Sequence, residues 1–215
     1  MSMHGCAPKH MKNAQLSLNN FEVVRYCVRI HTLYSARIKP KGSLMKSPMK
    51  QEVLSWADVD RLIDVLLPPL KIVGTFDAMV LVTRGGIIPG GLLAEAIGIR
   101  HILTAAVDFP ATESAGLMAW PTFMQFPDPT LLRDRRTLIV DDVWGSGRTS
   151  TAVKGRVQSS GGIPYTCVLH YNPYRSMFNR AEPDFYGSIT DAYIIYPWEL
   201  DRGTQGLETG VPDIN

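Results

Sequence analysis

Cysteine is scarce in this chain of 215 residues: Cys6, Cys27 and Cys167 make up the whole set. None stands in a C-x-x-C or other metal-ligating spacing, and an odd, scattered set fits a reducing compartment better than a disulfide framework. Long apolar runs are lacking too. The longest, around Ala78 to Ile99, is broken by Arg84, Glu95 and several glycines, so no membrane span is expected. No G-x-x-x-x-G-K-[ST] run occurs, which excludes a Walker P-loop. Acids are nearly missing from residues 1–48, where eight Lys or Arg face Glu22 alone, so a net charge of +2 leaves the remainder at −5. These basic residues lie on a segment without sustained periodicity and not on the organised part, so no nucleic-acid interface is expected.

What is present suits one α/β domain with extra chain at both ends. Hydrophobic residues make up 45% and charged residues 20%, ordinary for a globular protein long enough to bury a core without staples. The expected division is a basic extension over 1–48, a domain over 49–201 and a disordered tail over 202–215. Three readings of 1–48 stand side by side: a disordered arm, an organelle transit peptide, which Arg and Ser enrichment with few acids partly fits, or chain upstream of a natural start at Met49. The apolar core of a secretory signal is missing. The expected location is cytoplasmic, with organelle targeting by 1–48 left open.

From Ser55 onward the pattern sharpens. Ser55 and Asp58 have capping-box spacing, and Val59, Leu62, Ile63, Leu66, Leu67 and Leu70 recur at helical intervals, with Pro68 and Pro69 expected to bend or end the helix. Strands are expected over Ala78–Val82, His101–Phe109, Thr137–Val140, Tyr165–His170 and Ala192–Ile195. Helices are expected over Pro89–Ile97, stopped by Gly98, and from about Thr149 until Gly161 and Gly162. Residues 110–134 read as a long Pro-containing loop, of a kind that is usually functional or mobile. Strands alternating with helices imply a mainly parallel sheet flanked by helices, with ligands at the carboxyl ends of the strands.

The chemistry concentrates in Leu138 to Thr149. A buried strand delivers Asp141 and Asp142, then Val143 and Trp144, then the turn Gly145-Ser146-Gly147-Arg148-Thr149 that opens a helix. Gly145 and Gly147 allow tight geometry, the N–H groups of the turn and helix start favour an anion, and Ser146 and Thr149 add hydroxyls. The two acids suit sugar hydroxyls or a magnesium ion. Donors for a phosphate beside acceptors for a diol describe a ribose 5-phosphate. A dinucleotide G-x-G-x-x-G is a poor match, since Ser150 stands at the third glycine and two acids follow the strand.

This segment resembles the signature of the type I phosphoribosyltransferases. The resemblance implies that fold, with a small hood over the base, and an enzyme that transfers ribose 5-phosphate from 5-phosphoribosyl-1-pyrophosphate to a nitrogenous base. It implies that Asp141 and Asp142 are catalytic, holding the ribose 2′- and 3′-hydroxyls and facing Mg2+, that Gly145 to Thr149 cradle the 5′-phosphate, and that Val143 and Trp144 belong to the substrate-binding segment. A second loop, Thr83-Arg84-Gly85-Gly86, follows the first strand. Arg is suited to a diphosphate, and in this family a matching R-G-G loop binds pyrophosphate, which makes Arg84 the third catalytic residue and Thr83, Gly85 and Gly86 binding residues.

The segments His170-Tyr171-Asn172-Pro173 and Asp191 to Glu199, with Ser55-Trp56, resemble bacterial and archaeal xanthine–guanine and hypoxanthine phosphoribosyltransferases. By that resemblance Tyr193 stacks on the purine, the Ile194 backbone reads the ring edge, and the purine (guanine, xanthine or hypoxanthine) is salvaged. The resemblance covers roughly Gln51 to Leu200 and departs from the family at two points. Asn172 stands where a Lys donates to the 6-oxygen, and Gly145 stands where an Asp faces N7. A transferase for another base and a phosphoribosyl-binding regulatory module without turnover therefore stay open. The family often forms homodimers, though no interface is legible in the sequence.

Overall fold

The computed structural model describes residues 50–109, 120–178 and 180–202. The extension over 1–48, residues 110–119 at the start of the 110–134 loop and the tail beyond 202 lie outside the described residues.

The chain enters through a short strand, β1 (Gln51–Val53), and a helix, α1 (Trp56–Val73). The capping box forms as the spacing requires: Ser55 accepts from the Asp58 N–H while the Asp58 carboxylate accepts from the Ser55 N–H. Pro68 and Pro69 do not end the helix, which runs on to Val73. Each proline removes a donor to the carbonyl four residues back, here Asp64 and Val65, and both of those residues are exposed, so water can satisfy them. Leu66 and Leu70, on either side, are almost fully buried and hold the last turns down.

Six strands form the main sheet in the order β4-β3-β2-β5-β6-β7. They are β2 (Ala78–Val82), β3 (Ile102–Asp108), β4 (Thr122–Gln125), β5 (Arg136–Trp144), β6 (Ile163–Tyr171) and β7 (Phe185–Ile189). All pair in parallel except β4, which returns antiparallel to β3. Helix α2 (Ile87–Ile97) connects β2 to β3, and α3 (Arg148–Ser159) connects β5 to β6. A central parallel strand is covered on both faces and reads as a continuous apolar run; accordingly every residue of β2 is buried. Val80, Val82, Ala105, Leu132, Ile139, Val153 and Val157 form one buried cluster between the sheet and α3.

Three expectations change. Part of the long loop is ordered: β4 and a 3-10 turn at Pro129–Leu131 occupy its second half. The strand β7 has no counterpart in the sequence reading, because Gly187 and Ser188 interrupt its apolar pattern. Finally, β8 (Tyr193–Ile195) is not a fifth strand of the main sheet. It pairs with β1 in a separate two-stranded sheet, Gln51 opposite Tyr193 and Val53 opposite Ile195. A short helix, α4 (Pro197–Arg202), follows.

Candidate active site

The carboxyl ends of β2 and β5, neighbours in the sheet, bring the two loops singled out in the sequence together. Strand β5 continues through both acids to Trp144. The Asp142 N–H donates to Oδ1 of Asp141 (3.0 Å) and the Val143 N–H to Oδ1 of Asp142 (2.7 Å). Burial at the strand end is the main cause that pushes both carboxyls up, with the Asp142 charge adding to it at Asp141 and the Glu199 charge at Asp142, which is raised to about 6. A carboxylate that is costly to charge gains from an opposite charge or from donors aimed at it.

The Thr83–Gly86 loop lies directly on this strand end. A Cβ at Gly85 would run into the Asp142 carboxylate, and one at Gly86 into the carbonyl of Val140. Only hydrogen in place of a side chain lets the loop approach this closely. The Thr83–Arg84 peptide bond is cis. Arg84 is exposed, and among the described residues no ion pair engages its guanidinium. Thr83, by contrast, turns its hydroxyl to the Ala105 carbonyl (3.3 Å).

The third part is the turn from Gly145 into α3. Gly147 has φ of 78°, caps the helix without a side-chain hydrogen bond, and lies so close over the Trp144 indole that a Cβ would meet Nε1. The first N–H of α3, that of Arg148, donates to Oγ of the exposed Ser146 (3.4 Å), with the half-buried Thr149 one residue on. A helix start of this kind carries partial positive charge that favours an anion. Arg148 rests 4.0 Å above the Phe109 ring.

Two residues expected to face a ligand turn inward. The Trp144 side chain is 1% exposed, wedged under Gly147, with Nε1 donating to Ser176 Oγ (3.4 Å). It supports the loop from below. Asn172 is 2% exposed, and its polar atoms are committed to backbone: Oδ1 accepts from the N–H groups of Tyr174 (3.1 Å) and Arg175 (3.2 Å), while Nδ2 reaches the Ala192 carbonyl (3.5 Å). A short side chain engaged in this way shapes the turn and has no reach toward a base. Tyr193 is half-buried and its phenol is raised mainly by burial, then by the charges of Glu199 and Asp142. The Ile194 side chain is buried.

The structure adds residues that sequence reasoning passed over. The Tyr196 hydroxyl donates to the Asp142 carbonyl (2.9 Å) and lies 2.9 Å from Nδ1 of His170. With the phenol proton directed at Asp142, the imidazole partner is an Nδ1–H donor. Burial holds His170 down at about 4 and pushes Tyr196 up, so both stay neutral. Tyr196 also stacks on Trp198 (4.5 Å), which packs against Trp56 (5.9 Å). The chain after β8 is thereby pinned to the strand end that carries the acids. The run Tyr196-Pro197-Trp198 was visible in the sequence, but its target, 54 residues earlier, was not.

Magnesium takes one or two carboxylates and completes its octahedron with waters and substrate phosphates. Asp141 and Asp142, raised by burial with few donors to offset it, fit that donor set, and among the described residues no group of three or more candidate ligands competes with them.

No family model matches the chain. Solved structures do. A purine phosphoribosyltransferase from Pyrococcus horikoshii is 29% identical, with a TM-score of 0.60, over 70% of this chain and 95% of that one. A protein from Neisseria gonorrhoeae described as hypothetical, with bound ppGpp, is 23% identical (TM-score 0.62; 76% and 98% covered). The Helicobacter pylori xanthine-guanine-hypoxanthine phosphoribosyltransferase is 18% identical (TM-score 0.60; 74% and 99%). With the parallel sheet, the two strand-end loops and the separate β1–β8 pair, these likenesses show that the chain has the fold of the type I phosphoribosyltransferases.

Proposed function

We propose that this protein is a phosphoribosyltransferase that transfers ribose 5-phosphate from 5-phosphoribosyl-1-pyrophosphate to a 6-oxopurine, in purine salvage. The observation that carries the reading is the contact between the two loops. Gly85 sits against the Asp142 carboxylate, which sets the exposed Arg84 beside the acid pair and the open start of α3 on the same strand. One ligand with phosphates at both ends and a diol between them engages all three parts.

Catalysis on this arrangement is positioning plus charge stabilisation. The turn Gly145 to Thr149 holds the 5′-phosphate, and Asp141 and Asp142 accept from the ribose hydroxyls. At the anomeric carbon the bond to the pyrophosphate oxygen breaks, the bond to the purine nitrogen forms, and that nitrogen releases its proton. Arg84 takes up charge on the departing pyrophosphate, while the Gly86 N–H, donated to the Val82 carbonyl (2.8 Å), holds the loop on β2. Asp141 and Asp142 are the residues that would hold Mg2+, which when bound supplies further charge neutralisation of the pyrophosphate. Tyr193 offers a ring face to the base, worth about 1–3 kcal/mol for a stacked base.

The test is pyrophosphate release with magnesium across guanine, xanthine, hypoxanthine, adenine, uracil and orotate. Release with an oxopurine that vanishes in the Asp141→Asn, Asp142→Asn double variant is expected. Release with orotate or uracil alone would assign another base. The inward turn of Asn172 favours a second reading, a regulatory module that binds phosphoribosyl compounds or nucleotides without turnover. Its signature is tight nucleotide binding and no release with any base.

A further inference from the structure

The two acids stand where β5 outruns its neighbour: pairing with β2 ends at Val140. The Asp142 N–H is spent locally, on Oδ1 of Asp141 (3.0 Å). Its carbonyl is taken by a side chain from outside the main sheet. The Tyr196 hydroxyl donates to it at 2.9 Å, and Nδ1 of His170 lies 2.9 Å from the same hydroxyl. His170 is fixed in turn, because the β5–β6 register sets it opposite Val143. One hydroxyl thus joins β5, β6 and the chain leaving β8.

Tyr196 is itself held at several points. It follows Ile195, the last residue of β8, whose carbonyl accepts from the Leu54 N–H (2.9 Å). The Tyr196 N–H donates to the Glu199 carboxylate (2.8 Å), and the ring, 1% exposed, lies flat on Trp198 with 5° between the planes. A buried hydroxyl with donor and acceptor both engaged, on a ring that cannot turn, fixes its partners as firmly as they fix it. Stacking alone would be served as well by phenylalanine, so the hydroxyl has a separate task. Tyr193 stands three residues earlier on the same short segment.

We propose that Tyr196 is a positioning residue for the acid pair: its hydroxyl holds the Asp142 backbone where the carboxylate meets the ribose hydroxyls, and ties that position to the β8 segment. This rests on the phosphoribosyl reading given above. Tyr196 acts through Asp142 and touches neither the donor nor the base.

The experiment compares wild type and Tyr196→Phe, which keeps the stack on Trp198, by calorimetric binding of ribose 5-phosphate and of inorganic phosphate, and by kcat against KM for guanine. Loss of the hydrogen bond predicts about 3- to 10-fold weaker ribose 5-phosphate binding in Tyr196→Phe. Misplacement of the acid predicts a kcat roughly 10- to 100-fold lower. Phosphate affinity and KM for guanine stay within about twofold, because the turn and the Tyr193 ring are untouched. A second pair approaches the bridge from its other end: His170→Leu removes the donor to the hydroxyl and should weaken ribose 5-phosphate binding, while His170→Asn keeps a donor there and recovers it. Unchanged ribose 5-phosphate affinity and kcat in Tyr196→Phe would overturn the proposal. Equal losses for ribose 5-phosphate and phosphate would do the same, since they mark a general displacement of the site. If Tyr196→Phe does not fold, the His170 pair decides, and equal affinities in the two variants sink the idea. If wild type binds ribose 5-phosphate but releases no pyrophosphate with any base, the transferase reading fails and the affinity series alone decides Tyr196. If wild type binds no ribose 5-phosphate, both fall.

Discussion

Asp142 shows at the scale of one residue how a site is held at a cost to the fold. Its carboxyl is raised to about 6 chiefly by burial, so at neutral pH it is charged where charge is disfavoured. Removing that charge should stabilise the empty protein while abolishing transfer, the usual opposition between stability and a preorganised site. Asp142→Asn is expected to melt a few degrees above wild type at pH 7, since about 1 kcal/mol moves a domain of this size by roughly 2–4 °C. Near pH 4, where wild-type Asp142 is itself protonated, the difference should disappear. Thermal melts at the two pH values check this, and an unchanged or lowered Tm at pH 7 would contradict it.

At the scale of an element, the strand-end loops divide their glycines by what each must approach. Gly86 is packed on the Val140 carbonyl and Gly85 on the Asp142 carboxylate. Gly145, by contrast, has open space where a Cβ would stand. Gly86→Ala must push the loop away from β5. A destabilisation of about 1–3 kcal/mol is expected, as for other insertions into packed positions, with loss of transfer because Arg84 moves with the loop. Gly145→Asp should fold with Tm within about 2 °C of wild type, because nothing blocks the side chain. It restores an acid at the position where related purine enzymes carry one. Denaturant melts of the two variants separate a structural glycine from a permissive one. Equal losses would show that the turn at Gly145 is as tightly packed as the loop at Gly86.

At the scale of the molecule, two buried groups set opposing pH dependences. The folded state holds His170 at about 4, against 6.5 unperturbed. Its contribution is therefore present above about pH 6.5 and is lost as pH falls toward 4, up to about 3 kcal/mol in all. Asp141 and Asp142 work the other way: a raised carboxyl favours the protonated fold, and that advantage is lost as pH rises, from about 4 to 6 for Asp142. In wild type the acid pair opposes the histidine. In the Asp141→Asn, Asp142→Asn double variant the carboxyls are gone, and unfolding free energy should climb with pH between about 4 and 6.5, more steeply than in wild type. A flat profile in the double variant would mean that burial does not hold the His170 imidazole neutral.

Local chemistry carried far in the sequence. The β2 run, the capping box at Ser55, the left-handed stop at Gly98 and the acid–glycine turn after β5 each depend on neighbours within a few positions, and the structure forms each of them. The likeness to the phosphoribosyltransferase fold was legible for the same reason, since its two signatures are short and contiguous. What the sequence did not disclose depends on partners far along the chain. A helix continues through Pro68 and Pro69 because buried leucines on either side hold it, and β8 pairs with β1, some 140 residues away, instead of joining the main sheet. Asn172 was visible as a departure, but whether its amide faces a base or a turn depends on where Tyr174, Arg175 and Ala192 fall in three dimensions. The sequence by itself determined the residue types and local geometry of the two strand-end loops. Tertiary structure alone decided which side chains gather around Asn172 and Tyr193, because that region is assembled from segments with no common local pattern.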